Sequence, residues 1–297
     1  MDNRSEIREF LSTRRARISP DQAGLPAYGG NRRVPGLRRE EVALLSGMSI
    51  DYYIRLERGN LSGVSEGVLE SLSQALQLDD AEHAHLFDLA RAAGSPKAPR
   101  RKPVEQQVRP TVQRILDAMT DVPAYVRNGR RDILAANKLG HALYSELFAD
   151  PGRPVNVARF VFLSPKARAF FIDWEGAAND LVAVLRTEAG RNPYDRALTD
   201  LVGELSMRSE EFRTRWAAHN VRYHRTGLKR IHHPVVGDLE LSFEAMDLPA
   251  DPGLSLIVYS TEPGSAAEES LKLLASWSAS DGDPASAPQA ADGKSSV

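Results

Sequence analysis

The sequence predicts an all-α domain of five helices followed by an α+β domain whose antiparallel sheet is covered by helices. Three observations predict it. Apolar residues recur at helical spacing through residues 1–94. A proline- and arginine-rich run, GSPKAPRRKPVEQQVRP, then breaks all periodicity. Beyond it, strand-like runs stand on either side of a helical middle, the order expected of a sheet with helices on it. At ~150 residues per domain, 297 residues allow two domains, each able to bury a core. The expected division is 1–94, a linker at 95–110, a second domain at 111–277 and a disordered tail at 278–297, where Ala, Ser, Asp, Gly and Pro dominate.

In the first domain, Ile7, Phe10 and Leu11 form the apolar side of a first helix that stops at ISPDQAG. Residues 18–36 are rich in Pro and Gly and carry Arg32 and Arg33, candidates for a DNA backbone or minor groove. From Leu37 to Gly59, LRREEVALLSGMSIDYYIRLERG reads as helix, tight turn, helix. Val42, Leu45, Met48, Tyr53 and Leu56 make the inward stripe, Ala43 is small where the helices cross, and Gly47 supplies the left-handed turn. Ser49 is the expected N-cap of the second helix. Ser65 caps a fourth helix through Leu69, Leu72 and Leu76, and Asp79 with Glu82 opens a fifth that ends at Gly94. His83 and His85, two apart, point in different directions and are expected on the surface.

The exposed first turn of the second helix, with Ser49, Ile50, Asp51, Tyr52 and Arg55, leaves a face free for a major groove, while Arg38, Arg39 and Arg58 lie where phosphates could be held. Residues 1–60 hold 11 arginines against 8 acids, +3 in a chain of net charge -2, so any affinity for double-stranded DNA must be local. One short helix reads few bases, and a homodimer on half-sites ~34 Å apart is expected.

At these residues the chain resembles the XRE-type (lambda-repressor-like) helix-turn-helix. The fuller string RVPGLRREEVALLSGMSIDYYIRLERG resembles the MmyB-like regulators, in which such a domain precedes a PAS-like ligand-binding domain. The resemblance places Ile50, Asp51 and Arg55 at base-facing positions and Arg39 at a helix-start phosphate contact, where many such domains carry glutamine. It also implies that Glu57 pairs with an arginine of the first helix, Arg14 or Arg15.

In the second domain, Val112, Ile115, Leu116 and Met119 have helical spacing, and Asn128-Gly129 between β-rich runs reads as a type I′ hairpin. Asn137 caps the next helix. A helix starting at Ser164-Pro165 is expected to carry Phe170, Trp174, Ala177 and Leu181 in file and to end at Gly190. Further helices follow at Leu198 to Leu205 and Phe212 to Trp216, then strands at Asp238 to Met246 and Leu254 to Ser260, and a last helix opened by Ser265 and Glu268. A sheet-and-helix cup of this kind is suited to a small apolar molecule. Tyr125, Phe160, Phe162, Phe171, Trp174, Leu181, Trp216 and Tyr223 are the candidate lining residues. The family resemblance implies an acyl-chain, fatty-acid-like effector, with Arg222, His224 or Arg230 as partners for its carboxylate.

The absence of cysteine excludes disulfides, thiolate catalysis and cysteine-based zinc sites. His219, His224, His232 and His233 lack the spacing of a metal site, and adjacent strand histidines face opposite ways. No nucleophile elbow, P-loop or dinucleotide glycine pattern is present, so neither catalysis nor a cofactor is expected. No run approaches the ~18 apolar residues of a membrane span, and the expected location is the cytoplasm. The leading expectation is a ligand-responsive transcription regulator. A regulator whose second domain only dimerises comes next, and an enzyme built on the histidines last.

Overall fold

The computed structural model describes residues 3–25, 34, 36–94, 106–149, 154–221 and 226–280. Five helices build the first core: α1 (Asn3–Arg17), α2 (Arg39–Leu45), α3 (Ile50–Glu57), α4 (Glu66–Ala75) and α5 (Asp80–Gly94). Ile7, Phe10, Leu11, Val42, Tyr53, Leu56, Leu72, Leu86 and Leu89 meet inside it. The expected local signals hold: Gly47 turns between α2 and α3 at φ 66°, and Ser49 Oγ accepts the Tyr52 amide at 3.2 Å. Asp79 and Glu82 cap each other reciprocally. His85 departs from expectation. It is wholly buried where α5 meets the second domain, while His83 is half-buried beside Glu70. Arg32, Arg33, Arg100, Arg101 and Lys102, and nearly all of the expected tail, lie outside the described residues.

The second domain is a five-stranded antiparallel sheet, ordered β2-β1-β5-β4-β3, with β1 (Ala124–Asn128), β2 (Ile133–Ala136), β3 (Thr226–His233), β4 (Gly237–Asp247) and β5 (Leu254–Ser260). On one face, Val126, Leu254 and Leu256 pack against Val112 and Leu116 of α6 (Pro110–Ala118). The other face carries the main core under α7 (Lys138–Leu143), α8 (Ser145–Phe148), α9 (Val157–Leu163), α10 (Ala167–Phe170), α11 (Trp174–Arg191), α12 (Arg196–Arg208) and α13 (Glu210–Ala217), and α14 (Ala266–Ser280) packs on α7 and β4.

Two local expectations are corrected. The hairpin after β1 is not a two-residue turn on Asn128-Gly129. It runs to Asp132, and the residue with positive φ is Arg131 (71°). The Asn128 and Asp132 side chains tie the loop together at 2.9 and 3.0 Å, and Gly129 is small because the Glu188 carboxylate occupies the place of a Cβ. The single helix expected from Ser164-Pro165 is two, α10 and α11. Phe171 bridges to Ile231 of β3, and Asp173 then caps α11 by accepting from the Gly176 amide at 2.9 Å. Helix α9, unforeseen, precedes them. Among the described residues no helix is long and apolar enough to cross a membrane.

Candidate nucleic-acid interface and ligand cavity

Helix α3 is held with one side in the core and one in solvent. Tyr53, Leu56 and Glu57 are buried, whereas Ser49, Ile50, Asp51, Arg55 and Arg58 are exposed and Tyr52 is half-buried. The Glu57 carboxylate at the end of α3 is gripped by Arg15 of α1 (Nε to Oε1, 2.7 Å) and by Arg39 of α2. Of the two arginines expected to meet Glu57, Arg15 does so; Arg14 pairs with Glu82 at 2.8 Å instead. Arg15 also donates to the Leu37 carbonyl, fixing the start of the motif to its end. Glu57 uses only part of Arg39, whose side chain remains 55% exposed on the face that α3 presents. Arg38 lies beside it, paired with Glu40 at 3.3 Å in solvent.

Between the sheet and α11 lies a cavity of about 40 Å³. Alternation along β1 turns Tyr125 and Arg127 to the same face, and the register sets Tyr125 beside Ile257 and Tyr259 beside Phe243. Helix α11 closes the opposite wall with Ala177, Asp180, Leu181 and Val184. Three tyrosine hydroxyls meet at one side: Tyr259 lies 2.6 Å from Tyr144 and 3.5 Å from Tyr125. Burial pushes the Tyr144 and Tyr259 hydroxyls well above the usual range, so both are protonated donors.

Three cations face this cavity, Arg127, Arg131 and Lys229, against one carboxylate, Asp180. Burial, then repulsion from Arg127, draws the Arg131 guanidinium down to about 9. Its Nε has no hydrogen-bond partner among the described residues. Burial likewise brings Lys229 down to about 8, with Asp180 opposing and Arg127 and Arg131 reinforcing the shift. Two surface clefts share the cavity's walls. One of about 320 Å³ runs past Arg127, Arg131 and Val184, and one of about 540 Å³ past Phe171, Asp180 and Lys229.

Of the expected lining residues, Tyr125, Phe171 and Leu181 border the cavity. Phe160, Phe162, Trp174 and Trp216 are instead packed elsewhere in the domain: Phe160 against Phe170 and Phe171, Phe162 between Trp174 and Phe212, and Trp216 stacked on Phe212. Trp174 Nε1 donates to the Val161 carbonyl. Arg222, Tyr223 and His224 lie outside the described residues, and Arg230 stands in the outer cleft. His232 is exposed beside Asp238, and His233 is buried against the Ala142 carbonyl, on the other side of the strand. Arg127, Arg131 and Lys229 were missed. The available signal was a cation at an inward strand position, since Arg127 follows Tyr125 by two residues.

A solvent-facing recognition helix in one domain and a closed cup in the other define a transcription regulator of two parts, one for DNA and one for a ligand. The family model described as "Helix-turn-helix domain" matches residues 6–86, and that described as "MmyB-like transcription regulator ligand binding domain" matches residues 108–274, more than half of the chain. The chain belongs to the MmyB-like transcription regulators. Comparison with curated proteins gave no match.

Proposed function

We propose that this regulator is a homodimer that binds a specific double-stranded operator through α3 and responds to a fatty-acid-like anion held in the cavity under α11. On this reading residues 95–110 are the linker between the two functions, and the protein acts in the cytoplasm. Ile50, Asp51, Tyr52 and Arg55 read base edges, and Arg38, Arg39, Ser49 and Arg58 hold the backbone. Asp51 accepts from a cytosine amino group, the base-edge partner to which acidic side chains pair.

The observation that carries the ligand half is the Arg131 guanidinium, buried beside Arg127 in an otherwise largely apolar cavity, with its Nε lacking a hydrogen-bond partner among the described residues. A buried N–H donor left unmet is costly, and an anionic head group meeting it is stabilised by charge-assisted hydrogen bonds. The apolar body of the ligand then lies against Val157, Val161, Leu181 and Phe243. As it stands the cavity is far below the roughly 300–1,000 Å³ of ligand pockets, so binding requires it to open toward the neighbouring clefts.

Native extraction followed by mass spectrometry tests the ligand. Recovery of stoichiometric fatty acid from the wild-type chain, and its loss from Arg131→Met, is expected. A chain that retains and binds no organic anion would leave the second domain as a dimerisation module, the reading its small cavity favours. Capture of genomic fragments by the purified protein tests the DNA half, and recovered fragments should share a pseudo-palindrome.

A further inference from the structure

We infer that α11 carries the state of the cavity to the DNA-reading domain, and that the buried ion pair between Arg186 and Glu6 is the clasp that ligand entry opens. The inference rests on the ligand reading above and adds its route to DNA.

Helix α11 shows two sides to two partners. Ala177, Leu181 and Val184 line the cavity. Arg186, half a revolution out of phase with Ala177, faces the first domain. It is wholly buried, and it donates to the Glu6 carboxylate of α1, to the Trp216 carbonyl and to His219 Nδ1 at 2.9 Å. Its guanidinium also lies 4.0 Å over the Trp216 ring. His219 Nε2 in turn donates to Glu9 of α1 at 2.7 Å, and Arg14 of α1 donates to the His219 carbonyl. One turn past Arg186, the His85 ring of α5 fills the space where a Cβ on Gly190 would be, so the two helices touch without slack. Arg191 and Asp88 close the end of the crossing at 3.2 Å.

Helix α1 links this contact to the reading helix. Glu6 is in the clasp, and nine residues on, about 13 Å along the same rigid element, Arg15 holds Glu57 at the end of α3. A polar contact of this kind adds little adhesion over an apolar one, but it is either made or lost, which suits a two-state element.

The cavity supplies the conflict. At about 40 Å³ it has room for a few waters and not for an acyl chain. Its floor is held by the hydrogen-bonded ladder of β1, β5, β4 and β3, so the wall that yields to a ligand is α11. With Arg186 and Gly190 seated, α11 cannot move away. A ligand therefore binds the unclasped state better than the clasped one, and by that difference frees α1 and α3.

The chain has no cysteine, so Asp88→Cys/Arg191→Cys in the full-length protein offers a unique pair to be joined by a short, reducible bis-methanethiosulfonate linker. Cis-parinaric acid serves as the anionic acyl probe, and amide hydrogen exchange in α3 as a readout that needs no ligand. The linked protein should bind the probe about tenfold more weakly than after reduction, and Glu6→Gln about fivefold more tightly than wild type. Linked, reduced and wild-type forms that all bind the probe alike would overturn the clasp and leave the ligand reading intact. If no form binds the probe, the acyl reading fails, and the clasp is judged by exchange alone. Slower α3 exchange in the linked than in the reduced form supports it, and identical exchange overturns it.

Discussion

The two faces of this regulator hold their cations in opposite ways. On the proposed DNA side Arg38, Arg55 and Arg58 stand in solvent, where water screens them and a neighbouring carboxylate such as Glu40 adds little, and Arg39 is anchored to Glu57 with over half of its side chain exposed. In the cavity Arg127 and Arg131 are removed from water, and among the described residues no carboxylate forms an ion pair with them. Exposed cations cost the fold almost nothing, and on the proposed reading they meet a polyanion. Buried ones are a standing cost, which an anionic ligand would offset on the same reading.

The largest effect expected from breaking this contrast lies in the scaffold that presents α3. Gly59, the last residue of the motif, has φ 90°, and a Cβ there would collide with the Arg4 backbone of α1. Gly59→Ala should cost about 3 kcal/mol or more, seen as a lowered denaturation midpoint and loss of all DNA binding. A variant that melts like wild type would show that α1 and α3 are less tightly docked than their contacts indicate.

Next comes the cavity itself, where stability and affinity should move in opposite directions. Arg131→Met keeps the side-chain volume and removes the buried charge. It should stabilise the free protein by about 1–3 kcal/mol while weakening binding of an acyl anion at least about tenfold. A purely structural arginine would give loss of stability and no change in binding.

Smaller effects are expected on the DNA side. Arg55→Ala should cost about 1–3 kcal/mol on the operator and relax preference at one base position, whereas Arg39→Ala should weaken every sequence alike and flatten the salt dependence. Equal losses on operator and random DNA for Arg55→Ala would remove it from the base-reading set.

The same contrast explains what could be read in the residues beforehand. The helix-turn-helix is one continuous stretch from Leu37 to Gly59, and its stripe, turn glycine and Ser49 cap are all local relations. The cavity draws on β1, β3, β4, β5 and α11, and no local pattern states that Arg127 and Lys229 converge. Aromatic residues were a poor guide to it, because Phe162, Trp174 and Trp216 satisfy one another in the core. His85 was misplaced for a related reason. Helical spacing sets it at the edge of the first domain's core, against Phe10, and Gly190 of α11 covers its other side.

That interface yields the smallest and most selective prediction. Burial draws His85 down to about 3, with Glu6 opposing and Arg186, Arg14 and His219 reinforcing, and neither ring nitrogen has a hydrogen-bond partner among the described residues. The unfolded chain protonates His85 first, so its contribution is complete above pH 6.5 and falls as pH drops toward 3. Glu6 behaves differently. Burial raises its carboxyl, but His219 and the Arg186 charge outweigh that and bring it to about 2, so its contribution is complete above 4.5 and is lost as pH falls through 2. Wild-type stability should therefore fall by about 1 kcal/mol between pH 7 and 5.5, a window in which only the histidine titrates of these two. His85→Leu, which removes a ring set against Phe10 and Gly190 without leaving a hydrogen bond unmade, should reduce the slope in that window to the share of His233, whose pKa burial also lowers, and keep the loss below pH 4.5. Denaturant midpoints at pH 7, 5.5 and 4 measure both slopes. An unchanged slope between pH 7 and 5.5 would mean that His85 is hydrated in solution and that α5 and α11 already stand apart.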